Sequence, residues 1–275
     1  MKIAESKICN EMNIRQLEKY FSVSSGTFLK FYSELSSDKL FIDELNDRKR
    51  QISLDYGFDK GLFGAGDFDC IDWYAFERIL MYVLVRHFKP KNVLETGVYY
   101  GGNTVFILKA LQANDEGQLI SIDYPDSAIK EENSVLRHPE VGDTELYENK
   151  IKPGFLVPDN LKNRWQLLIG DSHKIIPSLD QKFDLYLHDS EHSFDFVTKE
   201  MALAHAKLAP DGLIVVDDID WSNGFYSYCA QHGLYPLLLT DNGKDELRVR
   251  TGLIDLKHSK NDEKAYIGTK KATLL

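Results

Sequence analysis

The chain has 275 residues, of which 43% are hydrophobic and 28% are charged, so it has enough apolar material for a sizeable core. Its formal net charge of −10 argues against a nucleic-acid-binding surface, because such a surface needs an excess of Lys and Arg. Its three cysteines are widely spaced and form neither a CxxC pair nor an obvious disulfide framework, and charges interrupt the apolar stretches of residues 1–20. We therefore expect a cytoplasmic protein with neither a signal peptide nor a membrane span.

The first part of the chain is polar and helix-prone. Apolar residues recur at helical spacing between Leu17 and Phe21 and again between Phe28 and Leu35. A further helical pattern runs from Trp73 to Leu84 and ends before Pro90. We predict a helical N-terminal accessory region over residues 1–70, which is a candidate surface for homo-oligomer formation, and one domain over residues 71–275.

Short apolar strands alternate with helices from residue 92 onward. The predicted strands are 92–96, 119–123, 166–169, 184–188, 213–217, 235–239 and 248–255, and the predicted helices are 104–113, 173–179, 195–208 and 222–232. This alternation predicts an α/β fold with a doubly wound, mostly parallel seven-stranded Rossmann-like sheet. Residues 124–165 are too long for an ordinary connection, so they are predicted to be a functional insertion or lid, with a plain surface loop as the alternative.

A glycine turn, VLETGVYYGGNT at 93–104, follows the first of these strands. In a doubly wound sheet such a turn lies at the carboxyl end of a central strand, where ligands usually bind. The spacing of Gly97, Gly101 and Gly102 lacks the GxGxxG pattern that seats a dinucleotide, which makes a nicotinamide cofactor the weaker choice. Glu95, just before the turn, instead suits a positively charged group such as the amino group of a methionine moiety.

Two further acids follow the next predicted strands. Asp123 ends the second strand, where a carboxylate can accept hydrogen bonds from both hydroxyls of an adenosine ribose. Asp171 follows the third strand, and for this residue a ligand contact and a helix N-cap are about equally favoured. The joint placement of these acids at strand ends predicts a nucleoside site.

Carboxylates also follow the fourth and fifth strands, in HDSEH at 188–192 and in LIVVDDIDW at 213–221. If the two strands are neighbours, Asp189, Asp217 and Asp218 converge, and their like charges raise one another's pKa unless a cation binds. A cluster of three carboxylates without cysteine favours Mg²⁺, Mn²⁺ or Ca²⁺ over zinc, and of these we predict Mg²⁺. The alternative is that Asp217 and Asp218 cap the following helix while Asp189 accepts a hydrogen bond from a backbone amide.

His192 lies three residues beyond Asp189 and has an unperturbed pKa of ~6.5, which suits it to take a proton from a hydroxyl. A lone histidine is more often structural, and packing explains His173, His188 and His205, to which we assign no chemistry. Three aromatic residues follow the aspartate pair: Trp221, Phe225 and Tyr226. Two positions are equally favoured for these residues, in the wall of the acceptor pocket or in the hydrophobic core.

Together these segments resemble the class I S-adenosylmethionine (SAM)-dependent methyltransferases, and in particular the metal-dependent small-molecule O-methyltransferases that act on macrolide sugars. The resemblance covers about residues 73–256 and rests on the glycine turn, on Asp123, on HDSEH and on LAPDGLIVVDDIDW at 208–221. It implies SAM as cofactor, Mg²⁺ held by Asp189, Asp217 and Asp218, and His192 as the general base. The predicted cofactor-binding residues are Glu95, Thr96, Gly97, Gly101, Asp123, Asp171, Ser172 and Asp189.

Other functions stay open at this point. In a metal-independent N- or C-methyltransferase the aspartates would serve only as helix caps. A non-catalytic Rossmann-like module would have the cofactor pocket without the catalytic residues. An NAD-linked enzyme would need the GxGxxG pattern, which this sequence lacks. The predicted partner is a small-molecule hydroxyl acceptor rather than a nucleic acid or a membrane. A sugar, a polyketide and a catechol all fit.

Overall fold

A computed structural model of the chain describes residues 3–56, 67–124, 153–242 and 247–258. The helices are α1 (Ile3–Tyr20), α2 (Leu29–Ser37), α3 (Lys39–Tyr56), α4 (Phe76–Phe88), α5 (Gly102–Asn114), α6 (Ser172–Ser178), α7 (Phe194–Lys207) and α8 (Gly224–His232). The strands are β1 (Asn92–Thr96), β2 (Gln118–Asp123), β3 (Trp165–Ile169), β4 (Phe183–His188), β5 (Leu208–Val216), β6 (Leu237–Asn242) and β7 (Leu247–Asp255). Short 3-10 helices span Ile71–Trp73 and Asp159–Arg164.

These strands form one sheet in the order β3-β2-β1-β4-β5-β7-β6. The first five strands are parallel, and β7 runs antiparallel between β5 and β6. The predicted doubly wound, mostly parallel sheet with a helical N-terminal extension is therefore confirmed. Strand β5 begins earlier than predicted, because Leu208 still pairs with Phe183 before an irregularity in the ladder.

Each face of the sheet has its own hydrophobic core, because side chains alternate along a strand. Val93 and Leu185 face one side, where they join a buried cluster with residues of α1 to α5. Leu94 and Ile214 face the other side and pack against α6, α7 and α8. The two layers of helices leave the carboxyl ends of the parallel strands as the place where loops meet.

The N-terminal helices belong to the same core as the sheet. In α1 the side-chain amide of Asn13 donates to the carbonyl of Thr240 in β6 at 2.7 Å, and the Tyr20 hydroxyl accepts from the backbone N–H of Asp255 in β7 at 3.1 Å. Both partners are on the last two strands, so helix α1 fastens the antiparallel edge of the sheet. Within the described part of the chain, no helix is long and apolar enough to cross a membrane.

The predicted insertion over 124–165 is described only in part, because residues 125–152 lie outside the described residues. Its last part forms a turn at 153–156 against the glycine turn. The backbone N–H groups of Gly154 and Leu156 donate to the carbonyls of Tyr99 and Tyr100 at 2.7 and 3.0 Å. The end of the predicted insertion thus covers one side of the glycine turn.

Candidate active site

The glycine turn between β1 and α5 has three residues in the left-handed backbone region: Gly97, Tyr99 and Gly101, with φ of 81°, 49° and 92°. A Cβ atom at Gly97 would lie 1.8 Å from the carbonyl oxygen of Asp189. Glycine is required there because the turn presses directly on the backbone that follows β4. The two predicted sites, at the turn and at Asp189, are thus in contact.

Asp123 holds this turn in place. Its Oδ2 accepts hydrogen bonds from the backbone N–H groups of Val98 and Tyr99, both at 2.8 Å. The carboxylate lies at the end of β2 as predicted, and it is buried. A contact between Asp123 and a ribose stays a prediction, whereas its role in fixing the turn is a structural fact that the sequence did not indicate.

Glu95 and Thr96 point to opposite faces of the sheet, and both are fully buried. Glu95 Oε2 accepts from the hydroxyls of Thr104 and Ser121 at 2.8 and 2.5 Å, and its Oε1 has no hydrogen-bond partner among the described residues. Burial raises the pKa of Glu95 to about 7, although the two hydroxyls oppose the rise. Neither Glu95 nor Thr96 is exposed at the turn, and their contacts with a cofactor stay predictions.

Asp171 and Ser172 begin helix α6 at the end of β3. Asp171 Oδ1 accepts from the backbone N–H of His173 at 2.9 Å, so of the two roles weighed for Asp171 the structure contains the helix N-cap. Ser172 is buried and its hydroxyl bonds to Glu200 of α7. Their predicted cofactor contacts are not tested by these bonds.

Three carboxylates meet at the carboxyl edge of the sheet: Glu77, Asp189 and Asp217, each with an oxygen within 4.8 Å of the others. We call this group the acidic edge. The convergence of Asp189 with Asp217 is as expected. Asp218 stays a predicted metal ligand; its backbone has φ of 50°, and its Oδ1 accepts from Arg250 Nε at 2.5 Å. Glu77, from helix α4, is a member of the group that the sequence prediction did not include.

Burial and mutual repulsion dominate the electrostatics of the acidic edge. Burial first, and the charge of Asp217 second, hold the pKa of both Glu77 and Asp189 well above the ordinary carboxyl range. The side-chain amide of Asn103 donates to Glu77 at 2.9 Å and to Asp189 at 2.8 Å, which fixes both carboxylates without neutralising them. Asp217 Oδ1 is buried and has no partner within the described part of the chain.

Arg250 is the cation beside this edge. It lies on β7, and its Nη2 is 3.4 Å from Asp217 Oδ2 while its Nε binds Asp218. Burial first, and the charge of Asp217 second, raise the pKa of Asp218 to about 6, and Arg250 opposes this rise. The sequence prediction missed Arg250 because the antiparallel insertion of β7 beside β5 cannot be deduced from the order of strands along the chain.

His192 lies beside Asp218, with 3.9 Å between Nε2 and Oδ2. Burial first, and His188 second, lower the pKa of His192 to about 4, so the imidazole is neutral near pH 7. Its Nδ1 is buried and makes no hydrogen bond to any described residue. The ring of Trp221 lies 5.9 Å away, centroid to centroid.

The face of the sheet behind His192 carries a buried polar network. Glu200 Oε2 lies 2.5 Å from His188 Nδ1 and also accepts from the hydroxyls of Tyr186 and Ser190 at 2.9 and 2.8 Å. His188 therefore has a structural role, in agreement with the interpretation of it as a packed residue.

The three aromatic residues that follow the aspartate pair differ in exposure. Phe225 is buried, whereas Trp221 and Tyr226 are 41% and 38% exposed.

A family model described as a methyltransferase domain matches residues 94–219, from β1 to just beyond β5. No curated protein matches the chain. Among solved structures, the chain is similar to the O-methyltransferase TomG from Streptomyces achromogenes in complex with SAM, with 16% identity, a TM-score of 0.49 and coverage of 82% of this chain and 94% of that one.

It is also similar to the O-methyltransferase from Bacillus cereus in complex with SAH, with 13% identity, a TM-score of 0.48 and coverage of 82% and 99% of the two chains. The SAH-bound methyltransferase PaMTH1 of Podospora anserina is 13% identical, with a TM-score of 0.47 and coverage of 78% and 87%. The segment that the family model matches, residues 94–219, lies within the stretch 73–256 over which the sequence resembles methyltransferases.

Proposed function

We propose that this protein is a methyltransferase that transfers the methyl group of SAM to a hydroxyl oxygen of a small molecule, with His192 as general base and a divalent cation at the acidic edge. The observation that carries the proposal is the convergence of Asp189 and Asp217 beside His192, within the segment that the family model matches. A hydroxyl acceptor must lose a proton when it is methylated, so a site with a neutral histidine and room for a cation suits oxygen.

The acids around the glycine turn fit a cationic methyl donor. The Asp123 carboxylate lies against the turn, at the place where strand ends bind ligands, whereas Glu95, with a pKa of about 7, is only partly ionised at neutral pH. A phosphate-bearing dinucleotide would be repelled, whereas the sulfonium and ammonium groups of SAM would be attracted. When bound, SAM supplies a methyl group that is already activated, so the protein's main tasks are to align the acceptor and to exclude water.

His192 is suited to take the acceptor's proton. With a pKa of about 4 it is unprotonated near neutral pH but is a weaker base than free imidazole, so the proton transfer also needs the cation to lower the pKa of the bound hydroxyl; its Nε2 lies 3.9 Å from Asp218 Oδ2. The exposed ring of Trp221 lies beside it and can stack on an acceptor ring. Removal of a general base typically costs ~10²- to 10⁴-fold in rate.

The residues of the acidic edge fit a hard divalent cation. Two buried carboxylates, Glu77 and Asp217, and the partly buried Asp189 lie close together, one of their oxygens lacks a partner among the described residues, and no sulfur ligand is present in the group. A cation there would lower the pKa of a bound hydroxyl. Glu77, Asp189 and Asp217 would bind it, and Asn103 would keep two of them in position.

One observation favours a second candidate, a methyltransferase that needs no metal. Arg250 already neutralises part of the charge on Asp217 and Asp218. Under that hypothesis a chelator leaves methyl transfer unchanged, whereas our proposal expects the rate to fall on addition of EDTA and to recover with Mg²⁺.

Calorimetric titration of SAM into the protein tests the donor, and a methyl-transfer assay over a panel of sugars, polyketides and catechols tests the acceptor. The informative donor variant is Asp123→Asn, because the remaining amide oxygen can still accept from the turn while the second carboxylate oxygen is lost. We expect SAM affinity to fall about tenfold, by ~1.4 kcal/mol. SAM affinity equal to wild type removes the ribose contact, and absence of SAM binding in the wild-type protein overturns the proposal.

The base is tested with His192→Ala against a matched control, His205→Gln. His205 belongs to helix α7 and bonds Tyr228, away from the acidic edge. We expect the first variant to lose methyl transfer at least ~10²-fold with SAM binding retained, and the control to keep both. Equal rates in the two variants would remove His192 from the mechanism.

A further inference from the structure

We propose that Glu200 of helix α7 is a positioning residue of the candidate active site, which fixes the loop at 189–193, and with it His192, against the carboxyl ends of β1 and β4. Glu200 has no exposed surface, so it does not touch an acceptor and acts through the groups that it bonds. The proposal rests on the proposed function only in taking His192 to be the general base.

The hydrogen bonds of Glu200 lie on both sides of the first residue of this loop. Its Oε2 is 2.5 Å from Nδ1 of His188, the last residue of β4, and accepts from the hydroxyl of Ser190 at 2.8 Å. Asp189 lies between these two residues, and its backbone N–H donates to the carbonyl of Thr96 at 2.9 Å. A side chain of the helix that follows the loop therefore holds the chain immediately before and after Asp189.

The same carboxylate also holds the start of the glycine turn. Thr96, the last residue of β1, donates from its hydroxyl to Glu200 Oε2 at 2.8 Å. Gly97 comes next and packs so closely on the loop that an added Cβ would lie 1.8 Å from the carbonyl oxygen of Asp189. Glu200 thus joins the glycine turn and the loop at the place where the two are in contact, and charge-assisted hydrogen bonds make this a strong junction.

His188 carries the constraint to His192. The two rings lie 5.6 Å apart, centroid to centroid, at an interplanar angle of 87°, which is an edge-to-face arrangement. His188 is fully buried, and its bond to Glu200 fixes the orientation of its ring. The imidazole of His192 therefore packs against a ring that cannot turn freely. A general base has to lie within hydrogen-bond reach of the proton that it takes, so a small displacement of His192 costs rate.

Hydrogen exchange of the backbone amides at 189–193, measured by mass spectrometry without SAM or acceptor, tests the tether. Ser190→Ala removes the bond between the loop and Glu200. Ser193→Ala is the matched control, because Ser193 lies in the same loop and its hydroxyl bonds the exposed Glu191 instead. We expect exchange at least about tenfold faster than wild type in Ser190→Ala, and within ~3-fold of wild type in Ser193→Ala. Equal exchange in the two variants would overturn the proposal.

Methyl transfer gives the second readout. We expect kcat to fall at least about tenfold in Ser190→Ala, with SAM affinity and the KM of the acceptor within ~3-fold of wild type, and to fall at least as far in Glu200→Gln. The control is Tyr186→Phe, because the Tyr186 hydroxyl donates to the same oxygen of Glu200 at 2.9 Å but lies within β4, outside the loop. This variant should keep kcat within ~3-fold.

A fall in kcat as large in Tyr186→Phe as in Ser190→Ala would overturn the proposal, since the carboxylate would then support the sheet without a particular effect on the loop. The two single-hydroxyl variants keep the test decisive if Glu200→Gln does not fold. Failure of the proposed function appears separately, as a wild-type protein that transfers no methyl group although its loop exchanges faster in Ser190→Ala.

Discussion

Replacement of Glu95 by Gln should make the protein more stable at alkaline pH. Glu95 is fully buried between β1, β2 and α5, and this burial raises its pKa from 4.5 to about 7. Because the folded-state pKa is the higher one, the folded protein binds the proton more tightly than the unfolded chain does. The stability that this proton contributes is fully present below pH 4.5 and is lost as the pH rises through 7.

The size of the effect follows from the same pKa change. One pH unit of pKa difference corresponds to ~1.4 kcal/mol, so a rise from 4.5 to about 7 corresponds to about 3 kcal/mol when Glu95 is fully ionised. Glutamine keeps the shape and acceptor oxygen of the protonated acid, and it cannot ionise. Thr104 and Ser121 can continue to donate to that oxygen.

The assay is urea unfolding of wild type and Glu95→Gln at about pH 5 and about pH 8, with the free energy of unfolding extrapolated to water. We expect the advantage of the variant to grow by ~2 to 3 kcal/mol between the two pH values, since wild type is mostly protonated at the lower one. The control is Glu116→Gln, at an exposed acid. An advantage that does not grow with pH would refute the argument that burial raises this pKa.

Three further changes have defined outcomes. Gly97→Ala should destabilise the protein by at least ~2 kcal/mol, measured by urea unfolding. The Cβ of the alanine would overlap the Asp189 carbonyl oxygen, and the backbone at this position has φ of 81°, which disfavours any residue with a side chain. Burial raises the pKa of Glu200, but His188 lowers it further, to about 2, so the ionised Glu200 contributes ~3 kcal/mol of stability above pH 4.5 that is lost as the pH falls through about 2. Glu200→Gln should remove this contribution, and a pH series of urea unfolding curves checks it. Cys229, whose pKa burial raises to about 12, should react with a thiol reagent only on unfolding, and fast labelling of the native protein at this residue would contradict its burial.

The strands were predictable because each is a continuous apolar run, and because glycine, proline or acidic residues separate one run from the next. Strand β1 was predicted at its observed bounds, 92–96. The start of β5 was not, because Pro210, Asp211 and Gly212 have the composition of a turn, although the ladder resumes beyond them. Pairing with a neighbouring strand decided this boundary, and pairing is not visible in a local window of sequence.

The acidic edge was predictable only where the rule of strand ends applies. That rule correctly placed Asp189 beside Asp217. The metal contact of Asp218 stays a prediction, and two adjacent aspartates give no sign that the second has a left-handed backbone. Glu77 was missed because an acid in the first turn of an apolar helix is also what the helix dipole favours. Its burial against two distant carboxylates was the informative fact, and only the folded chain contains it.

The hydrogen bonds from α1 to β6 and β7 have a consequence for the order of events during synthesis. The helix leaves the ribosome before its partners at Thr240 and Asp255, which are 227 and 235 residues further along the chain than the α1 residues that they bond. Until then the inner face of α1 has no strand to cover it, and the antiparallel edge cannot close. Contacts so far apart in sequence form slowly. The parallel part of the sheet can assemble while translation continues, but the antiparallel edge must wait until β6 and β7 have been synthesised.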